Sequence, residues 1–243
     1  MDTTLLSIAL AASMILMLAL GVWVSLTLVG IGVLGLLLSG NDQIGLLFAT
    51  SSWGASTGWS LTALPMFIWM GEVLFRTRLS EDLFKGLSPW MGGLPGKLLH
   101  VNILSCGIFA AVSGSSAATA ATIGRMTLPE LKAQGYSDRM AVGTLAGSGT
   151  LGLLIPPSII LIVYGVAAEV SIGRLFIAGA LPGLMLVVMF MGYTMVWATL
   201  NKDEMPKHKK EHISFSAKIK ALRMLLPIVG LIVFVLGSIY AGF

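Results

Sequence analysis

The chain has 243 residues, of which 56% are hydrophobic and only 11% charged, with a formal net charge of +4. An ordinary globular protein carries about 25% charged residues, so this composition excludes a conventional soluble domain and makes the bilayer the expected solvent. The excess of Lys and Arg calls for no nucleic-acid partner, because cytoplasmic loops of membrane proteins gather basic residues anyway, and the single cysteine, Cys106, leaves no internal disulfide to form.

In chain order, Leu5 to Leu38 is apolar almost throughout, interrupted by Gly21, Gly30, Gly32 and Gly35. As one helix it would be roughly 50 Å long at 1.5 Å per residue, against a hydrocarbon core of about 30 Å. It is either one long tilted helix or two tightly joined spans, ended by Asn41-Asp42. Gln43 to Ser60 mixes Leu and Phe with Ser, Thr, Gly and two Trp, which suits a helix or loop at the membrane interface. Leu61 to Leu74 is apolar up to Glu72 and finishes at Arg76-Thr77-Arg78. Leu79 to Lys97 mixes charges with Leu and Trp and predicts an amphipathic surface segment.

Leu98 to Ile123 is apolar and rich in small residues, with Ser113-Gly114-Ser115-Ser116 near its middle. Arms of about a dozen residues are too short to span and suit a re-entrant helical hairpin. A polar loop is expected over Gly124 to Arg139. Met140 to Ala168 then reads as a transmembrane helix broken at Ile155-Pro156-Pro157-Ser158, since Pro removes an amide donor and clashes with the preceding turn. Leu175 to Leu200 is the cleanest span, Asn201 to Arg223 the most polar segment, and Met224 to Tyr240 a last span.

The basic residues gather in three loops, Arg76 to Lys97, Arg125 to Arg139 and Lys202 to Arg223. If all three are cytoplasmic, Leu98 to Ile123 must leave and return on one side. Later spans then alternate and leave the C-terminal end on the periplasmic face.

Both breaks lie among apolar residues, where non-helical backbone is tolerated only if buried in protein or lining a cavity. No acid and no His sits deep in an apolar run, apart from Glu72 and Glu169 toward segment ends and His100 near the start of the hairpin. Intramembrane ionisable groups are the usual parts of proton relays, so a proton pump is disfavoured. No His-Glu-x-x-His, phosphate-binding Gly-x-x-x-x-Gly-Lys or Gly-x-Ser-x-Gly pattern points to an enzyme. What remains is neutral oxygen: carbonyls freed at helix breaks and Ser hydroxyls, of the kind that coordinate Na+ or another hard cation. Small residues at such spacing also let helices pack closely without binding anything, and the residues alone leave the two readings level.

Gly107-Ile108-Phe109-Ala110-Ala111-Val112-Ser113-Gly114-Ser115-Ser116-Ala117-Ala118-Thr119, with Gly149 to Ile159 downstream, resembles the large membrane subunit of tripartite ATP-independent periplasmic (TRAP) transporters. Leu64-Pro65-Met66-Phe67-Ile68, Gly173-Arg174-Leu175-Phe176 and Ala180-Leu181-Pro182-Gly183 are similar to further family segments in family order. The resemblance implies a Na+-coupled, elevator-type secondary transporter in the bacterial cell inner membrane, a multi-pass protein and not an enzyme. It would import small organic anions such as C4-dicarboxylates or sialic acids. The implied partners are a small membrane subunit and a periplasmic substrate-binding protein. The resemblance also implies a Na+ site between hairpin tip and broken helix, formed by Ser113 and Ser115 with backbone carbonyls of Gly152, Ile155 and Pro157.

By the same resemblance, residues 1–97 form scaffold helices and an interfacial arm, residues 98–170 the transport-domain hairpin and broken helix, and residues 171–243 further transmembrane helices. Family members are longer and repeat the hairpin and broken helix with inverted topology. This sequence is therefore expected to be the first half of an inverted repeat, as a truncated fragment or one half of a split subunit. Gly21-Val22-Trp23 departs from the family's frequent Gly-Val-Pro, which removes the proline that would impose a helix break there. The rival reading is a non-catalytic membrane scaffold whose Ser/Gly breaks are packing devices.

Overall fold

The computed structural model describes residues 3–40, 43–206 and 215–241; expectations resting on Asn41-Asp42, on Lys207, Lys209 and Lys210, and on Gly242-Phe243 lie outside them. Among the described residues every regular element is a helix. The chain divides into two compact units, Met1–Trp59 and Ser60–Phe243.

In the first unit Leu5 to Leu38 forms two helices, α1 (Thr3–Ala19) and α2 (Val24–Leu38). The turn between them needs no proline: Gly21 takes φ +78, a left-handed conformation that costs a residue without a Cβ nothing. The pair packs closely because α2 presents glycines, with Gly30 facing the Met17 methyl and Gly35 the Leu10 side chain. Helix α3 (Ile44–Ser56) follows and buries none of its residues.

In the second unit, α4 (Ala63–Phe75) ends with Arg76 turned back on Glu72, Nη2 to Oε1 2.8 Å. Helix α5 (Leu79–Met91) is amphipathic as expected, but its apolar face is covered rather than left at a surface. Leu83, Gly86 and Leu87 are buried. Gly86 meets the Leu225 side chain, and Trp90 donates its indole N–H to the Lys218 carbonyl at 3.3 Å while the Lys218 ammonium lies over its ring. Residues 215–225, α11 (Phe215–Leu222) and a short 3-10 turn, thus lie along α5 and continue into α12 (Leu226–Ala241).

The centre of the unit is α6 (Leu98–Ser113), α7 (Ser116–Ala133) and α8 (Asp138–Gly149). The arms of the hairpin are longer than the sequence suggests, 16 and 18 residues. Helix α7 runs on past Ile123 to Ala133, well into the expected loop, because its buried face continues at helical spacing through Thr119, Ile123, Thr127 and Leu131. At about 24 and 27 Å, arm length alone no longer argues for re-entry.

A buried polar cluster ties these helices together. Asn102 on α6 accepts from the Thr127 hydroxyl of α7 at 2.9 Å and donates to Thr144 of α8 at 3.1 Å. Thr144 in turn donates to the Met140 carbonyl. All three side chains are buried, so each polar atom depends on the others for partners that water would otherwise supply. Tyr136, in the α7–α8 turn, accepts from the Leu98 amide at 3.3 Å. Burial pushes its phenol above the usual tyrosine range, against the lowering effect of that hydrogen bond.

Helix α8 passes into a 3-10 turn at Thr150–Leu153, breaks, and resumes as α9 (Ile159–Ala167). Helix α10 (Ile172–Leu200) has 29 residues and buries one stripe, Phe176, Gly179, Gly183, Val187, Thr194 and Ala198. Ile172–Leu200 and Phe215–Ala241 are the helices among the described residues long and apolar enough to cross a membrane. An all-α membrane protein is what this architecture and composition support.

Candidate functional site

Both breaks stop a helix for chemical reasons readable residue by residue. Helix α6 ends because Gly114 adopts φ +61, and its amide returns to the Ala110 carbonyl at 3.0 Å. Ser115 is extended and caps α7, its hydroxyl accepting from the Ala118 amide at 3.3 Å. Farther along, the amides of Leu154 and Ile155 both donate to the Leu151 carbonyl, at 3.0 and 2.8 Å. Pro156 and Pro157 then have no amide hydrogen to return to Gly152 and Leu153. The Leu153 carbonyl accepts instead from the Ser158 hydroxyl at 2.8 Å.

The structure brings these two breaks together. The Ile159 amide, which would serve the Ile155 carbonyl if the helix continued, donates across to the Gly114 carbonyl at 3.1 Å. A Cβ on Gly114 would stand 2.6 Å from the Pro157 carbonyl oxygen, and one on Gly152 would stand 2.7 Å from both the Ser115 carbonyl carbon and the Ser116 nitrogen. Only hydrogen-sized groups fit at either crossing, so both glycines are required by close backbone approach. Helix α4 adds a third contact, with Gly71 against the Ser113 carbonyl oxygen.

Four helix ends therefore meet: the carbonyl ends of α6 and of the α8 segment, and the amide ends of α7 and α9. Carbonyl ends carry partial negative charge and amide ends partial positive charge. The carbonyls of Gly152 and Ile155 have each lost their usual helical donor, one to a proline and one to Gly114. Such carbonyls are the groups that a break makes available to a cation.

Of the five residues singled out in the sequence, Ser113, Ser115, Gly152 and Pro157 converge on this crossing. The Ile155 side chain points elsewhere, against Gly183 and toward Gly107. Beside it lies a cavity of about 290 Å³ whose lining, with Gly107, Ala111, Pro156 and Val187 among others, is almost wholly apolar, which suits an ion poorly. Sequence reasoning missed Thr119. Its hydroxyl lies 2.9 Å from Ser113 Oγ and donates to the Ser115 carbonyl at 2.8 Å. It stands four residues after Ser115, so helical spacing from the cap was the signal that could have found it.

The donor set is neutral: Ser113 and Thr119 hydroxyls and main-chain oxygens. Each hydroxyl keeps a lone pair beyond the bond it shares, which suits a hard monovalent or divalent cation rather than a soft metal. Among the described residues, His, Cys, Asp and Glu nowhere gather in threes as a transition-metal site would need.

A family model described as "Tripartite ATP-independent periplasmic transporter, DctM component" matches residues 11–243. The chain belongs to this family. Within the TRAP large permeases it is 36% identical over 212 residues to the C4-dicarboxylate permease DctM of Pseudomonas aeruginosa, covering 87% of this chain and 48% of that protein. It is 37% identical over 183 residues to the ectoine permease TeaC of Halomonas elongata, 75% of this chain and 42% of that one. To the sialic acid permease SiaM of Vibrio cholerae it is 31% identical over 205 residues, 83% and 47%. The chain thus spans about half the length of the curated relatives it matches. TRAP large permeases are membrane-embedded transport components, which agrees with the helical, apolar architecture above.

Proposed function

We propose that the chain provides the membrane subunit, or the N-terminal half of one, of a Na+-coupled secondary transporter in the bacterial inner membrane. The observation that carries this reading is the crossing of the two helix breaks, where Gly114 and Gly152 let backbone meet backbone beside Ser113, Ser115 and Thr119. Na+ is taken there by the Ser113 hydroxyl, by Thr119 and by carbonyls of Gly152, Ile155 and Pro157; Ser115 holds the local geometry through its cap and carbonyl. The absence of deep intramembrane acids from the sequence supports a metal cation over a proton.

The substrate is a small organic anion or zwitterion carrying a carboxylate, in keeping with the dicarboxylate, ectoine and sialic acid named for the relatives. The amide ends of α7 and α9 are suited to a carboxylate. A periplasmic binding protein delivers it, and a small membrane subunit completes the complex. Re-entry of the α6–α7 hairpin rests on the three basic segments sharing one face, and the hairpin with the broken helix is the part that moves as an elevator. The Asn102 cluster, which joins α6, α7 and α8, supports their moving as one body.

The test is uptake of radiolabelled succinate, N-acetylneuraminate and ectoine into liposomes holding the chain with its small subunit and binding protein. Uptake of one of these that needs an inward Na+ gradient and no ATP is expected. Equal uptake with K+ in place of Na+ would overturn Na+ coupling. A scaffold role, favoured only by the tight glycine packing, predicts no change in Na+ dependence in Ser113→Ala with complex assembly intact.

A further inference from the structure

Away from the crossing, a second cavity of about 240 Å³ opens between the α4–α5 junction and α7, lined by Phe75, Ser80, Glu81, Thr122, Arg125 and Met126. Arg125 is held there by geometry: its guanidinium lies over the Phe75 ring, 5.2 Å from the centroid. This contact holds the guanidinium at the cavity wall, where its N–H groups can donate to a bound ligand. Among the described residues Arg125 joins none of the ion pairs. The acid in the same cavity, Glu81, pairs with Lys85 at 3.5 Å, and neighbouring Arg76 is held by Glu72. The Thr122 hydroxyl already donates to the Ala118 carbonyl at 2.7 Å, so it faces the cavity as an acceptor. Ser80 brings a hydroxyl that can donate.

A guanidinium beside a donor hydroxyl recognises a carboxylate or phosphate through two parallel N–H bonds. Glu81 and Thr122 on the rim can accept hydrogen bonds from hydroxyls of the same ligand. Arg76 and Arg78 fall between Phe75 and Ser80 in the sequence, so the lining residues from this side belong to a charged junction between helices rather than to an apolar stretch. We propose that this cavity is an oxyanion-binding site, taking the phosphate of an anionic lipid headgroup with free hydroxyls, such as a glycerol phosphodiester, or a soluble anion of the same chemistry. Arg125 binds the oxyanion, Ser80 assists, and Glu81 orients the hydroxylated end.

The full chain, purified in a zwitterionic detergent, is titrated calorimetrically with short-chain phosphatidylglycerol, with the matching phosphatidylcholine, and with potassium phosphate and potassium succinate. Saturable binding of phosphatidylglycerol but not phosphatidylcholine assigns the site to lipid; saturable binding of phosphate or succinate instead assigns it to a soluble anion. In either arm Arg125→Gln weakens binding about tenfold, weakens it more than Arg125→Lys does, and higher salt weakens it further. Arg139→Gln, an exposed arginine outside the cavity, leaves it unchanged. If Arg125→Gln loses helical circular dichroism, Ser80→Ala carries the test with about a threefold loss. Absence of saturable binding in every arm, or equal binding by wild type and both cavity variants, overturns the proposal.

Discussion

Helices α10 and α12 and the trio α6, α7 and α8 show two ways of being a membrane helix. Apolar over most of their length, α10 and α12 bury little of themselves, so that Leu181, Leu184, Val233 and Phe234 stay more than 60% exposed. The trio is more polar, yet it is where burial concentrates: Leu99, His100, Val101, Asn102, Ile103 and Cys106 are all wholly buried. Hydropathy alone would rank α10 and α12 first. Polar side chains and broken backbone can exist at depth only where protein replaces water as the partner, so the weaker hydropathy signal marks the candidate machinery.

The sharpest way to break this contrast is at the crossing glycines. Gly114→Ala adds a Cβ to a left-handed residue and sets it against the Pro157 carbonyl, and should cost about 3 kcal/mol, seen as a lower melting temperature in detergent. Gly152→Ala meets the Ser115–Ser116 peptide without a conformational penalty and should cost about 2 kcal/mol. Asn102→Leu leaves the Thr127 and Thr144 hydroxyls without their shared partner, and a loss of about 1 to 2 kcal/mol is expected, with faster hydrogen exchange in α7 and α8. Tyr136→Phe removes the acceptor of the Leu98 amide and should cost about 1 kcal/mol. Because burial raises the folded phenol's pKa, the folded state disfavours the phenolate; wild-type stability should be independent of this group below about pH 10 and fall as pH rises further, whereas the Phe variant shows no such fall. At the small end, Leu181→Ala on the exposed face of α10 should stay within about 0.5 kcal/mol. A cost there matching that of Gly152→Ala would erase the distinction between the two kinds of helix.

Much of this was legible from residues. Ser113-Gly114-Ser115 and Pro156-Pro157 break helices by local chemistry, so both were placed correctly, and the uninterrupted apolar run identified α10. The sequence of Leu5 to Leu38 does not decide between one helix and two, because a glycine turn costs so little that its neighbours, not its own identity, decide whether it forms; Gly21 turns without a proline. Past Ile123, Arg125, Glu130 and Lys132 look like a loop in composition, while the buried face that keeps α7 helical is visible only in the spacing of Thr119, Ile123, Thr127 and Leu131. The covering of α5 by residues 215–225 joins segments more than a hundred residues apart, through Gly86 with Leu225 and Trp90 with Lys218, and no local pattern encodes such a pairing. Thr119 is a nearer case: its i+4 spacing from the Ser115 cap is visible in the sequence, but the Ser113 hydroxyl turned toward it across the cap is not.

The most direct test of the central claim, that the two breaks form one cation site, is the thermal stability of the chain titrated with Na+ against K+ at constant ionic strength. A ligand that binds only the folded state raises the melting temperature as its concentration passes its dissociation constant. Wild type should be stabilised by Na+ and not by K+, and Ser113→Ala and Thr119→Val should each remove most of that Na+ increment while leaving helical content intact. Identical curves in Na+ and K+, or a Na+ increment that survives both substitutions, would contradict the account.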